Sequence, residues 1–204
     1  DRVRDKIILK YSELKSGQSY RQSDLVSTQR RIQQLSLFQY VTIRADLNGI
    51  HNQTIPMEII VKELPADFIK VGVGYGLEDR FRLSLTYTRR GFLRGARNLT
   101  FFAKHSYLEP YHFSLTLNQK AFINPFSSFI INPYLKKENE SAYKINRYGL
   151  NLTFQQNLGM YSNMFSNYRF EKNYIVLKME DYEEADLDTE YYNRSSISLR
   201  ASFD

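Results

Sequence analysis

Val71-Gly72-Val73-Gly74-Tyr75-Gly76 and, after a short charged turn, Phe81-Arg82-Leu83-Ser84-Leu85-Thr86-Tyr87-Thr88 decide the fold. Both stretches alternate strictly, and residues 98–107 continue the pattern less cleanly. Successive side chains of a strand point to opposite faces. One face therefore carries Val, Tyr, Phe and Leu, and the other carries Gly, Arg, Ser and Thr. A soluble sandwich has that pattern, and so does a membrane barrel with an oily outside and a wet inside.

Composition favours the barrel. Aromatic residues make up 15% of the 204, with 16 Tyr, 14 Phe and no Trp, although the mean hydropathy is negative. A transmembrane barrel reconciles the two, because only alternate residues meet lipid and aromatics gather at the interfaces. No run approaches 18 apolar residues, so no spanning helix is expected. The chain opens on a charged run at Asp1 without a signal peptide, which reads as a fragment boundary. The net charge of +6 is spread along the strands rather than gathered on one face, so nucleic acid is not an expected partner. Without cysteine there is no disulfide and no thiolate metal site.

In chain order, Ile7, Tyr11 and Leu14 form one stripe of a helix expected over residues 3–16, with Gly17 at its left-handed end. Ser19 and Gln22 have the form of a capping box opening a second helix. Its buried stripe would be Leu25, Thr28, Ile32 and Leu35, and Arg30 and Arg31 would lie on a solvated face. Residues 40–47 and 55–61 alternate around the turn chemistry of Asn48-Gly49 and His51-Asn52. Residues 1–64 thus form a helix-helix-strand-strand α+β module, and Leu64-Pro65-Ala66-Asp67 leads out of it.

From there, residues 65–204 read as mainly β. Strands are expected near 68–77, 80–89, 96–107, 111–123, 127–137, 143–157, 161–172 and 190–203, with uncertain facing in the fifth and seventh. Connections at 77–80, 108–110, 136–142 and 180–184 would lie on one side. Those at 90–95, 124–126 and 158–160 would lie on the other. Two of the first set read as longer and strongly charged, an asymmetry typical of outer-membrane barrels. Eight antiparallel strands could close into a narrow barrel, since an open edge cannot sit in lipid.

The two parts together resemble the BamA/TamA-type outer-membrane assembly factor superfamily. Leu14-Lys15-Ser16-Gly17-Gln18-Ser19-Tyr20, then Leu25, Ile32 and Leu35, then Leu37-Phe38-Gln39-Tyr40-Val41-Thr42-Ile43 fit the frame of the last periplasmic POTRA domain, without its first strand. Val61-Lys62-Glu63 fits the close of that domain. Val71 to Gly76 is similar to the family's first barrel strand, and residues 91–99 to the turn and strand that follow. Glu109-Pro110 and Asn124-Pro125-Phe126 match family proline positions. The family's barrel has sixteen strands, so the resemblance implies a partial POTRA domain followed by about half of a barrel. It also implies a location in the bacterial outer membrane with the N-terminal module in the periplasm. The implied activity is non-enzymatic: inserting outer-membrane proteins, or translocating polypeptides. Unfolded outer-membrane clients, outer-membrane lipid and periplasmic or lipoprotein accessory subunits are the implied partners.

Three groups of residues carry that activity in this reading. Client strands would pair along a weak seam at Ile69, Val71, Val73 and Tyr75. There Gly72, Gly74 and Gly76 either loosen the strand or only make room for side chains facing the bore. A hairpin carrying Val41, Ile43, Ile59 and Val61 would offer a second edge. Arg89, Arg90, Arg94 and Arg97 gather at a periplasm-side turn, where they would hold lipid phosphates, dock the N-terminal module or simply end the barrel band. His51, His105 and His112 lack metal-ligand spacing, the acidic residues lack a calcium-loop frame, and no nucleophile or cofactor box is present. Neither metal nor cofactor is expected. Two alternatives stay open: a two-partner-type secretion pore exporting one protein, and a soluble β-sandwich binding module.

Overall fold

The computed structural model describes residues 5–46, 54–158, 162–177 and 189–203. The turn at Asn48-Gly49 and His51-Asn52 and the acidic run 180–184 lie outside the described residues. Two helices, α1 (Asp5–Tyr11) and α2 (Gln22–Gln34), precede an antiparallel hairpin of β1 (Phe38–Ala45) and β2 (Met57–Glu63).

The helices are shorter than their periodicity suggests. The Thr28 hydroxyl accepts the Glu13 N–H at 3.0 Å, and the Ser12 hydroxyl accepts that of Leu14 at 3.1 Å. Side chains thus satisfy the amides that another helical turn would have used, and α1 stops at Tyr11. Gly17 is left-handed (φ +84°), but in a loop turn closed by Gln18 N–H to Lys15 O at 3.3 Å, well past the helix end. The capping box does not form either. Arg21 is the N-cap of α2 and makes no side-chain bond there, so Ser19 stays in the loop. Of the expected stripe, Thr28, Ile32 and Leu35 are buried and Leu25 is half-buried.

The rest of the chain is one antiparallel sheet of eight strands in sequential order. These are β3 (Asp67–Gly76), β4 (Arg80–Arg90), β5 (Arg97–His105), β6 (Tyr111–Lys120), β7 (Ser127–Asn139), β8 (Tyr143–Asn157), β9 (Ser162–Leu177) and β10 (Thr189–Phe203). Among the described residues β3 pairs only with β4 and β10 only with β9, so these eight strands do not close on themselves. Nor, among the described residues, does a second β layer cover the sheet as a sandwich requires; the other sheet described is the two-stranded β1–β2 hairpin.

Register settles the facing that alternation left unclear. Val71 lies opposite Leu85, Tyr87 opposite Phe101, and Phe101 opposite Leu115. The same row system puts Phe129, Ile131, Pro133 and Leu135 of β7 on this apolar face, with Leu150, Leu152 and Phe154 of β8. On β9 it places Tyr168 and Phe170 there, and Phe165 on the polar face among asparagines. Sequence periodicity fails on β7 and β9 because Ile130 and Phe165 sit on the polar face.

The polar face is hydrogen-bonded across strands. Thr88 and Thr100 hydroxyls lie 3.1 Å apart, Asn132 donates to Thr116 (2.8 Å), Asn151 to Asn132 (3.2 Å) and Arg169 to Asn151 (2.9 Å). Higher on the same face Glu138 accepts from Lys136 (2.5 Å) and Arg147 (2.8 Å). These charges had suggested a loop at 136–142. Glu138 pairs with Lys136 on its own strand and with Arg147 on the next, so these charges lie inside β7 and β8 instead, and only residues 140–142 connect the two. The expected length asymmetry is therefore not seen among the described connections 77–79, 106–110 and 140–142.

Tyr134 crosses Gly149 on β8 to bond Glu171 on β9. A methyl group at position 149 would overlap the Tyr134 ring. Gly149→Ala is expected to cost about 1–3 kcal/mol by overpacking, against about 1 kcal/mol for Tyr134→Phe, which loses one hydrogen bond. Denaturant titration of the two variants checks the order.

One rim is tied through Asp79. Its backbone carbonyl accepts the Tyr107 N–H at 3.2 Å, and its carboxylate accepts that of Leu108 at 3.3 Å. A hydrogen bond from Ser106, helped by the Leu108 amide, Lys104 and Arg82, holds the Asp79 carboxyl below its usual range. A depressed carboxyl stabilises the fold above its unfolded pKa of about 4 and loses that effect as pH falls through the folded value. Protection of the Leu108 amide, its exchange rate relative to an unstructured peptide at the same pH, is expected to hold down to about pH 4 and to fall only below it; Asp79→Asn removes that fall.

Candidate functional site

The β3 strand begins where the N-terminal module ends, and its two halves are held differently. At the start, the Tyr87 hydroxyl donates to Asp67 at 2.6 Å and Arg89 approaches the same carboxylate at 3.5 Å. Arg90 donates its backbone N–H to Ala66 O (2.7 Å) and its guanidinium to Pro65 O (3.0 Å), and lies 5.5 Å over the Phe68 ring. The linker and the first turn of β3 are strapped to β4 by side chains as well as by the ladder.

Beyond Lys70 the strap thins to one long hydrogen bond, from the Ser84 hydroxyl to Gly72 O at 3.5 Å. Gly72, Gly74 and Gly76 stand opposite Ser84, Arg82 and Arg80. A Cβ at position 72 would press on the Ser84 hydroxyl, whereas at 74 and 76 it would meet only the flexible Arg82 guanidinium at ordinary contact distance. Space for a neighbour explains Gly72; it explains Gly74 and Gly76 weakly. The opposite edge of β3 has no strand partner among the described residues. Alternate N–H and C=O groups there point away from β4, which is the requirement for adding a strand.

Ile69, Val71, Val73 and Tyr75 do not pack into an interior. Val73 is 69% and Tyr75 74% exposed, and Leu83 and Leu85 on the adjoining strand remain exposed too. The apolar face as a whole is uncovered, from β3 across to Ile197 and Leu199 on β10.

The other sequence-predicted groups sit apart from this edge. Val41, paired with Val61, is buried, and Ile59 and Val61 pack against the core of the module. Together with Ile43 opposite Ile59, they form the face turned to the helices, so any pairing along this hairpin would use its backbone. The four arginines divide. Arg90 is engaged with the linker, Arg89 with Asp67, and Arg97 with Gln119, while Arg94 is exposed in the 3-10 turn Phe92–Arg94.

One contact escaped the sequence reading. Tyr11, Ile32, Leu35, Leu37, Phe38 and Val41 form one apolar cluster with Ala96 and Ala121, which belong to connections of the large sheet. The Tyr11 hydroxyl reaches Ala121 O at 3.4 Å. Arg31, expected in solvent, pairs with Glu13 and lies 4.9 Å over the Phe126 ring; Arg30 is exposed. Two small alanines in loops carry no pattern that would announce such a contact. His105 bonds Pro110 O at 2.6 Å and His112 packs edge-on against Phe102.

No protein-family model matches the sequence, and no curated protein matches it. Comparison of the coordinates gives a different result. The crystal structure of BamA from Haemophilus ducreyi lacking POTRA domains 1–3 superimposes with a TM-score of 0.76 over 99% of this chain, at 13% identity. The fold is BamA-like. This chain spans 42% of the length of that BamA structure, so the eight-stranded sheet corresponds to part of a BamA-like barrel.

The difference between the two halves of β3 is measurable. Amides of residues 71–76 are expected to exchange hydrogen about tenfold or more faster than those of 67–69, since an unstrapped glycine-rich edge opens locally at lower cost. Gly74→Ala and Gly76→Ala, which meet no clash, are expected to slow exchange at the neighbouring amides.

Proposed function

We propose that this chain is the periplasmic-arm and first-half-barrel portion of a bacterial outer-membrane protein. That protein inserts other outer-membrane proteins, or passes polypeptides across the membrane, by templating client strands on β3. Residues 1–64 act as a partial POTRA domain in the periplasm, and residues 65–204 as half of a sixteen-stranded barrel. The reading needs no catalytic residue, nucleotide or metal. Unfolded clients, outer-membrane lipid and accessory subunits are its partners.

The observation that carries this reading is the pairing of an exposed apolar face with a hydrogen-bonded polar face on one sheet. Such a sheet is stable where lipid covers the first face and water or side chains fill the second. The BamA-like fold supports the same assignment. Within it, β3 is the strand best suited to receive a client. Its edge groups are available, its glycines contribute little packing, and its start is anchored so that opening would be confined to residues 71–76. Main-chain hydrogen bonds would supply affinity, and the free energy would come from the client's own folding into lipid.

The chain has no cysteine, so single substitutions report without background. In the full chain in membranes, Ile69→Cys, Val71→Cys, Val73→Cys and Tyr75→Cys are each combined with a scan of single cysteines along the terminal strand of a stalled outer-membrane client. Disulfides are expected in antiparallel or parallel register, shifting by two client residues for each two-residue step on β3. Disulfides without register, or none, would leave β3 an ordinary wall strand.

A further inference from the structure

The polar face of the large sheet changes in charge toward the N-terminal module. From the rung of Thr88, Thr100, Asn132 and Arg169 down to the connections at Ala96 and Ala121, it carries Arg90, Lys120, Arg169 and Arg200. Among the described residues of β3 to β10, none on that half of the face is Asp or Glu. Higher on the same face carboxylates answer the cations. Asp79 lies 3.7 Å from Arg82, Glu109 pairs with Lys104, and Glu138 pairs with Lys136 and Arg147. On the module side, by contrast, Arg90 bonds the backbone oxygen of Pro65 and Arg169 bonds the Asn151 amide, neither of which carries charge.

Two apolar side chains share this half of the face. Ile130 and Phe165, which break the alternation of β7 and β9, line one recess of about 640 Å³ with Arg169, Arg200, Asn151 and Asn167. Arg169 fixes which way the amides point. A guanidinium can only donate, so Asn151 turns its oxygen to Arg169. Its nitrogen then donates to Asn132, and that of Asn132 donates to Thr116. Both amide oxygens are thereby used within the sheet, and each amide keeps a second N–H. The recess offers cations, N–H donors and apolar side chains, and no carboxylate lines it.

We infer that this recess binds an extended acidic polypeptide segment, one that carries carboxylates and apolar side chains together. The inference rests on the membrane-spanning reading above, in which the polar face lines the bore, and it names the class of polypeptide that would pass along that wall. Arg200 lies opposite Phe165, and Arg169 is four residues further along β9, so their backbone positions are about 13 Å apart along the strands. Glutamates four residues apart on an extended chain match that spacing and leave the chain on the same side. Asparagine amides suit the peptide groups between them, and Ile130 and Phe165 suit an apolar side chain. A lone small anion would use one cation and leave the rest of the recess in water. Cations inside a low-dielectric wall also attract a mobile anion more strongly than the same charges on an open surface.

The test uses the full chain in phosphatidylcholine vesicles, with Ser196→Cys, opposite Arg169, carrying an environment-sensitive fluorophore at the border of the recess. The probes are a short peptide with two glutamates four residues apart and a leucine between them, its glutamine counterpart, and propionate. The glutamate peptide is expected to shift the fluorescence and the glutamine peptide to bind more weakly. Arg169→Gln and Arg200→Gln are each expected to weaken glutamate-peptide binding about two- to fivefold, and raised salt to weaken it further. Lys172→Gln, which removes a charge from the apolar face beside Tyr148, is expected to leave it unchanged. In a separate variant, Ile197→Cys on the apolar face of β10 reports the spanning wall through quenching by brominated lipid. If that position is quenched while both peptides bind alike, or while Lys172→Gln costs as much as Arg169→Gln, the recess is wrong and the barrel stands. Propionate displacing the peptide at equal carboxylate concentration overturns the polypeptide assignment. An unquenched Ile197→Cys overturns the spanning reading itself.

Discussion

A single sheet with one apolar face needs something to cover that face. Across eight strands the cross-strand rows stay in phase, so valines, leucines and aromatics fall on one side and hydroxyls, amides and charges on the other. A slip of one residue anywhere would send asparagine and arginine to the apolar side.

The polar face supplies much of the control. Its asparagine and threonine rungs bond side chain to side chain across the strands, each satisfying a neighbour that a slipped register would leave unpaired. The Lys136–Glu138–Arg147 group and the Tyr134–Glu171 bond do the same at a higher level. Partly buried ionic groups are costly when unpaired and specific when paired, which suits them to marking register on a wall whose other face is mainly apolar.

The N-terminal module is joined to this wall twice. The chain connects them through the linker clamped by Arg90, and an apolar contact connects them through Tyr11 and the two alanines. The start of β3 therefore inherits the position of the module, while its glycine-rich end does not.

The alternation of residues 71–76 and 81–88 was legible without coordinates because a strand converts order along the chain directly into sides of a sheet. So was the buried stripe of α2 at Thr28, Ile32 and Leu35. The short first helix was not, because Thr28, fifteen residues away, takes the amide that would have continued it. Residues 136–139 of the expected charged loop proved to be strand for a similar reason: Arg147 neutralises Glu138 from the next strand.

The residues alone determined which side of each regular strand is oily, and that a helical module precedes a β wall, since both follow from local periodicity. The tertiary structure alone decided the facing of β7 and β9, the seat of the module on Ala96 and Ala121, and the crossing of Tyr134 over Gly149. Those depend on which residue arrives opposite which, and pairing across strands is a property of the assembled sheet rather than of any segment within it.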